Sequence, residues 1–132
     1  MKAAYIDTSL LIGIRFQQFP SAKMRAVRQY ELYSSELLIA EVLAFGKRES
    51  IEQNLLTEAL KGLSWVIPEV SISEECRRVI QCGYARGADL WHLACACYLS
   101  PNPSELAFLT LDEQQRDLAA RLGFRSPSFS SD

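Results

Sequence analysis

Four carboxylates carry the chemistry that this sequence suggests: Asp7, Glu41, Asp89 and Asp112. Asp7 ends the apolar run Ala3-Ala4-Tyr5-Ile6 and is followed by Thr8, Ser9 and a new apolar segment. Asp112 stands in the same relation to Leu106–Thr110, and Asp89 opens an apolar segment after the break at Arg86-Gly87. Each therefore sits near an expected helix N-terminus, where the dipole favours negative charge by roughly 0.3–1 kcal/mol. Aspartate is also a good N-cap, so capping explains each one taken singly. Glu41 has no such explanation. It lies inside Leu38-Ile39-Ala40-Glu41-Val42-Leu43-Ala44-Phe45, with no basic residue before Lys47. A half-buried glutamate there needs a cation. Two like charges about 4 Å apart repel by about 4 kcal/mol at an effective dielectric near 20. Four converging carboxylates thus persist only if they hold protons or bind a metal. All-oxygen ligands suit Mg²⁺ or Mn²⁺ rather than zinc. Hard cations with water left in their shells are the machinery of phosphodiester hydrolysis.

The rest of the chain must position these acids. Its 132 residues are enough for one domain with a real core, and 48% hydrophobic with 23% charged residues argues against disorder. Asp7 and Arg15 interrupt the N-terminal apolar run too early for a signal peptide or a membrane span, so a cytoplasmic protein is expected. Cys76, Cys82, Cys95 and Cys97 form no C-x-x-C pair and read as small buried apolar residues in a reducing compartment. The net charge of −2 gives no overall signal for nucleic acid. Its distribution is uneven: from Thr8 to Tyr30 there are Arg15, Lys23, Arg25 and Arg28 and no acid. That stretch is either a solvated helix face or a contact to a phosphate backbone.

Short apolar runs alternate with helical patterns. Ala3–Ile6, Tyr30–Ser34, Trp65–Ile67 and Leu106–Thr110 read as strands, with a further short one starting near Phe124. Helices are expected over Leu10–Phe16, Ser21–Gln29, Glu36–Lys47 (capped by Ser35, with Gly46 as its stop), Glu49–Lys61, Ser73–Tyr84, Ala88–Leu99 and Asp112–Leu122. This order implies an α/β fold of three layers, with a central parallel sheet of four or five short strands between helices. In open sheets of that kind ligands bind outside the carboxyl ends of the strands, where Asp7 is expected. The domain spans residues 1–124, and the Ser/Pro-rich segment 125–132 reads as a frayed tail.

The motifs Tyr5-Ile6-Asp7-Thr8-Ser9-Leu10-Leu11, Ser34-Ser35 through Ala40-Glu41-Val42-Leu43, Gly87-Ala88-Asp89-Leu90-Trp91-His92-Leu93-Ala94 and Leu109-Thr110-Leu111-Asp112-Glu113 occur in that order. Together with Ala119–Gly123 they resemble the PIN-domain ribonucleases, and among these the VapC-like toxins of toxin–antitoxin pairs. The resemblance runs from about Ala3 to Phe124. It implies a PIN-like α/β/α domain in which Asp7, Glu41, Asp89 and Asp112 surround one or two Mg²⁺ or Mn²⁺ ions. Asp7, Asp89 and Asp112 would be direct ligands and Glu41 a ligand through water, with Thr8, Ser9 and Thr110 orienting the acids. It further implies an endoribonuclease acting on RNA, a homodimer, and an inhibitory antitoxin partner. RNA would be held by Arg15, Lys23, Arg25, Arg28, Lys47 and Arg48.

His92 lies three residues after Asp89, on the same helical face, and is expected to pack or hydrogen-bond rather than react. Trp65 and Trp91 sit in apolar runs and read as core, not as platforms for bases. Two other functions fit the same residues. One is a PIN-like module that binds RNA or protein without cutting. The other is a Mg²⁺-dependent hydrolase of small phosphate esters with an aspartyl nucleophile, although that chemistry usually wants a second Asp at the position of Ser9.

Overall fold

A computed structural model describes residues 1–129. Four strands, β1 (Lys2–Ile6), β2 (Tyr30–Ser35), β3 (Ser64–Val66) and β4 (Ala107–Leu109), form one sheet in the order β3-β2-β1-β4. All three pairings are parallel. Helices α1 (Thr8–Phe16), α2 (Ser21–Arg28), α3 (Glu36–Arg48), α4 (Gln53–Ala59), α5 (Ser73–Cys82), α6 (Gly87–Leu99) and α7 (Glu113–Leu122) complete the fold.

Alternation along the strands divides the core in two. Ala4, Ile6, Ala107 and Leu109 face a cluster with Leu10, Leu11, Leu38, Val42 and Leu56, contributed by α1, α3 and α4. Tyr5 and Phe108 face the other side, with Val79, Leu93, Leu118 and Leu122 from α5, α6 and α7. Tyr5 and Phe108 are register partners, and their rings stack 5.4 Å apart. The architecture is thus the three-layer α/β/α arrangement, with helices on both faces.

The chain moves outward from β1 to β2 and β3, then returns to the other side of β1 as β4. The crevice beyond the carboxyl ends of β1 and β4 is therefore a topological switch point. Asp7 N–H donates to the Leu109 carbonyl at 3.1 Å and extends the ladder to the lip of that crevice.

Several local expectations are corrected. The fifth strand shrinks to a single bridge between Ala107 and Arg125. The segment after Phe124 is packed rather than frayed up to Phe129, which is buried against the α1–α4 side. The Lys23 Nζ donates to the Phe129 carbonyl at 2.5 Å. The last part of the expected tail, 130–132, lies outside the described residues. Gly46 does not stop α3. That helix ends at Arg48 by a Schellman turn, with Ser50 in the left-handed region (φ 58°) and Ile51 N–H bonded to the Gly46 carbonyl. The turn takes up the start of the expected Glu49–Lys61 helix, leaving Gln53–Ala59. Ser35 occupies an N-cap position, but its hydroxyl makes no cap bond. Ser21 is the first residue of α2, which follows Pro20 without a side-chain cap. Trp91 is 38% exposed, whereas Trp65 is half-buried in the core as expected.

Gly46 instead allows α3 and α4 to touch: a Cβ built there would stand 2.4 Å from Leu56 Cδ1. Gly46→Ala is therefore expected to cost about 1–3 kcal/mol through overpacking, despite alanine's better helix propensity. A melting temperature equal to or above that of the parent would contradict this.

Candidate functional site

The four acids approach the switch point from four elements. Asp7 caps α1, accepting the Leu10 N–H at 3.1 Å, and Asp112 caps α7, accepting the Gln115 N–H at 3.1 Å. Both therefore have the structural role that their position allows. Asp89 does not. Because α6 begins at Gly87, Asp89 falls inside its first turn. Its carboxylate accepts no hydrogen bond among the described residues. Glu41 projects from the second turn of α3 and is about two-thirds buried.

Asp7 is almost fully enclosed, at 3% exposure. Its Oδ1 also accepts from the Ser9 hydroxyl at 2.8 Å, and its Oδ2 from the Thr110 hydroxyl at 2.6 Å. The two hydroxyls in turn accept backbone donors from the loop after β4. Leu111 N–H reaches Ser9 at 3.2 Å and Asp112 N–H reaches Thr110 at 3.0 Å. Ser9 and Thr110 thus tie the end of β1 to the loop that carries Asp112. Burial pushes the Asp7 carboxyl up to about 6, against the opposing pull of the Thr110, Leu10 and Ser9 hydrogen bonds.

Thr8 serves the other acid. Its hydroxyl donates to Glu41 Oε1 at 2.6 Å, and His92 Nε2 meets the same oxygen at 2.7 Å. The opposite ring nitrogen, Nδ1, lies 2.6 Å from the Tyr5 hydroxyl. An ionised Glu41 only accepts, so the ring's proton belongs on Nε2, and Nδ1 accepts from Tyr5. The cation that Glu41 lacks in sequence is replaced by this histidine, 51 positions away. Burial raises the Glu41 carboxyl, but the His92 and Thr8 bonds outweigh it and leave the group below its ordinary value. His92, at 1% exposure, joins Tyr5 on β1 to Glu41 on α3. His92→Phe should therefore leave a glutamate oxygen and a phenol short of partners and cost about 1–3 kcal/mol. An unchanged unfolding midpoint in urea would argue against the bridge.

Asp89 and Asp112 face one cavity of about 220 Å³, whose walls include Tyr84, Arg86 and Gln115. Burial raises the Asp89 carboxyl first, and the charges of Asp112 and Glu41 raise it further. Gln115, buried at 3%, spans the site. Its Nε2 donates to the Asp89 carbonyl at 3.3 Å, and its Oε1 lies 3.1 Å from the Thr110 hydroxyl. Tyr5 and Gln115 are additions to the residues read from sequence. Gln115 had a local signal, since Asp112-x-x-Gln115 has capping-box spacing. Tyr5 had none, being one aromatic in an apolar strand.

The donor set fits a hard divalent cation in chemistry: oxygens only, with one half-buried carboxylate unpaired and repelled by its neighbours. Among the described residues, no three His, Cys, Asp or Glu side chains are grouped so as to hold an ion by themselves. Mg²⁺ commonly takes one or two carboxylates, several waters and substrate phosphates, and the Asp89–Asp112 cavity offers that number.

The six expected RNA-backbone residues separate. Arg15, Arg25 and Arg28 line one cavity. Lys23 is engaged with the Phe129 carbonyl. Arg48 pairs with Glu49 and lies over the Phe45 ring, and Lys47 lines a separate hollow between α3 and α4. All four cysteines are free thiols; Cys95 and Cys97 are buried, and Cys76 and Cys82 partly so. Among the described residues, no helix is long and apolar enough to cross a membrane.

Comparison of the chain with models of known protein families, with curated proteins and with solved structures returns no match.

Proposed function

We propose that this protein is a metal-dependent endoribonuclease of the PIN class, working through Asp7, Glu41, Asp89 and Asp112. The observation that carries this reading is Asp89: a carboxylate without a hydrogen-bond partner among the described residues, inside the first turn of a buried helix, with Asp112 across its cavity. A protein whose acids served only as caps has no use for a repelled carboxylate there. Asp89 and Asp112 would hold an Mg²⁺ or Mn²⁺ ion, with water and substrate phosphate completing its shell and Asp7 and Glu41 acting through water. Such an ion supplies Lewis acidity and lowers the pKa of bound water. Ser9 and Thr110 fix the plane of the Asp7 carboxylate, and Thr8 and His92 fix Glu41. Arg86, on the cavity wall, is placed to meet a phosphate oxygen.

The Asp89–Asp112 cavity is lined mainly by polar and charged side chains, which suits a phosphate group. The sequence motifs favour the toxin branch of the PIN class, hence a protein antitoxin and a homodimer. The test is cleavage of a mixed RNA pool by purified protein with Mg²⁺ or Mn²⁺, with and without EDTA. EDTA-sensitive cleavage supports the reading. Hydrolysis of a generic phosphate ester with intact RNA would replace it by the phosphohydrolase alternative. RNA binding without any cleavage would replace it by the binding module.

A further inference from the structure

Beyond the acids, the most unusual charge on the surface is a group of three arginines where α1 meets α2. Arg15, from the end of α1, and Arg25 and Arg28, from α2, line one cavity of about 320 Å³ with Phe19, Ser21 and Met24. Ser21, Arg25 and Arg28 share a face of α2 at positions i, i+4 and i+7. None of the three guanidiniums has an ion pair or hydrogen bond among the described residues. Three cations elsewhere have an acidic partner at i,i+3: Arg77 with Glu74, Arg116 with Glu113 and Lys61 with Glu58. Here no acid is available from Thr8 to Tyr30, and Arg25 and Arg28 are like charges at a repulsive spacing. Each arginine occupies the last turn of its helix, where the dipole favours a cation. That accounts for the sign of each charge but not for three of them meeting around one cavity.

We propose that this cavity holds backbone phosphates of the single-stranded RNA whose other end lies at the acidic crevice. The proposal rests on the ribonuclease reading and extends it to how the strand is held. Guanidinium forks match phosphate oxygens in pairs. Phe19, half-buried beside them and tilted against Phe129, adds one ring, and a ring beside cations suits a base next to its phosphate. An acidic protein would use the charges but has no need of the ring. Arg15 lies eight residues beyond Asp7 on α1. At 1.5 Å per residue that is about 12 Å along the helix axis, a span that a short run of single-stranded nucleotides can bridge. The strand would thus run along α1 from the acids to the arginines.

The test measures binding apart from cutting. Fluorescence anisotropy of a labelled single-stranded RNA is followed across a salt series, with Asp89→Asn as the non-cleaving parent. Adding Arg15→Ala, Arg25→Ala and Arg28→Ala together is expected to weaken binding about tenfold or more. It should also flatten the slope of log K against log salt by about 2, since each phosphate contact on a single strand contributes about 0.7. Arg25→Ala alone, at an exposed position, should remove about 0.7 and guards against misfolding of the triple variant. Arg77→Ala with Arg78→Ala, on α5, should change neither quantity. Unchanged affinity and slope in the triple variant would overturn the proposal. So would poly-L-glutamate displacing the RNA as well as unlabelled RNA does at equal charge, which would make the cavity a seat for an acidic protein. A wild-type protein that cuts RNA while the triple variant binds normally removes only this proposal. A wild-type protein that neither cuts nor binds RNA removes the ribonuclease reading as well.

Discussion

Asp89→Asn is expected to abolish RNA cleavage while leaving the melting temperature, measured without added metal, unchanged or higher. The two halves have one cause. Burial and the charges of Asp112 and Glu41 raise the Asp89 carboxyl above its ordinary value, so at neutral pH its ionised form opposes folding. Asparagine keeps the shape and removes the charge. No hydrogen bond to the Asp89 carboxylate is lost, because none is made among the described residues. Cleavage should fall by about 10²–10³-fold, the scale seen when a preorganised electrostatic group is removed from a reacting site. A residue whose removal relieves the fold but ends activity is held there for function. Had Asp89 been a structural cap, Asp89→Ala, which removes the side-chain oxygen, would lower stability by about 1 kcal/mol, and differential scanning calorimetry of that variant separates the two cases.

The second large effect is the pH dependence contributed by Asp7. Burial raises its carboxyl from 3.8 to about 6. Between those values the folded protein binds more protons than the unfolded chain, so this residue's contribution to stability falls as pH rises. The contribution is fully present below about pH 4, is lost through about pH 6, and is flat above that. At about 1.36 kcal/mol per pH unit, the loss is on the order of 3 kcal/mol. Asp7→Asn keeps an oxygen to cap α1 and should flatten the profile over that window. Urea unfolding at pH 4 and pH 7 for both proteins measures the difference. A wild-type protein in which Asp7 does not reduce stability between those values would show that its carboxylate is well solvated or already compensated. Glu41 acts in the opposite sense. Its lowered carboxyl adds stability above its unfolded pKa, which is lost only as pH falls through the folded value. Comparing the Asp7→Asn and parent profiles cancels that contribution.

Much of this arrangement was legible in the chain because it rests on local signals. Asp7 and Asp112 each stand between a short apolar run and a helical pattern, so their place at strand ends follows from periodicity alone. Glu41 was conspicuous because it interrupts an apolar helix without a local partner. What no local signal carried was the partner itself. His92 reaches Glu41 only because α6 and α3 meet on either side of β1, and Tyr5 joins them only through the register of the sheet. The helix expected from Ala88 begins one residue earlier and is capped at Arg86, so Asp89 lies inside its first turn. Gly87 reads as a break, yet in the fold it begins α6, and that small shift turns an expected cap into an unpaired carboxylate. Gly46 departs from expectation for a related reason. Glycine near a helix end usually marks a stop, but here the stop is Ser50 and the glycine makes room for Leu56. The packing of Phe129 was also hidden, since a Ser/Pro-rich segment gives no sign that one aromatic will seat beside Phe19.

The most direct test of the central claim is a calorimetric titration of Mn²⁺ into the wild-type protein and into Asp89→Asn, with cleavage of a mixed RNA pool on the same samples. The expected result is Mn²⁺ uptake and EDTA-sensitive cleavage in the wild type, with both lost in a variant that melts no lower than its parent. A wild type that takes up no Mn²⁺, or a variant that cuts RNA at the wild-type rate, would contradict the assignment of these acids to a nuclease centre.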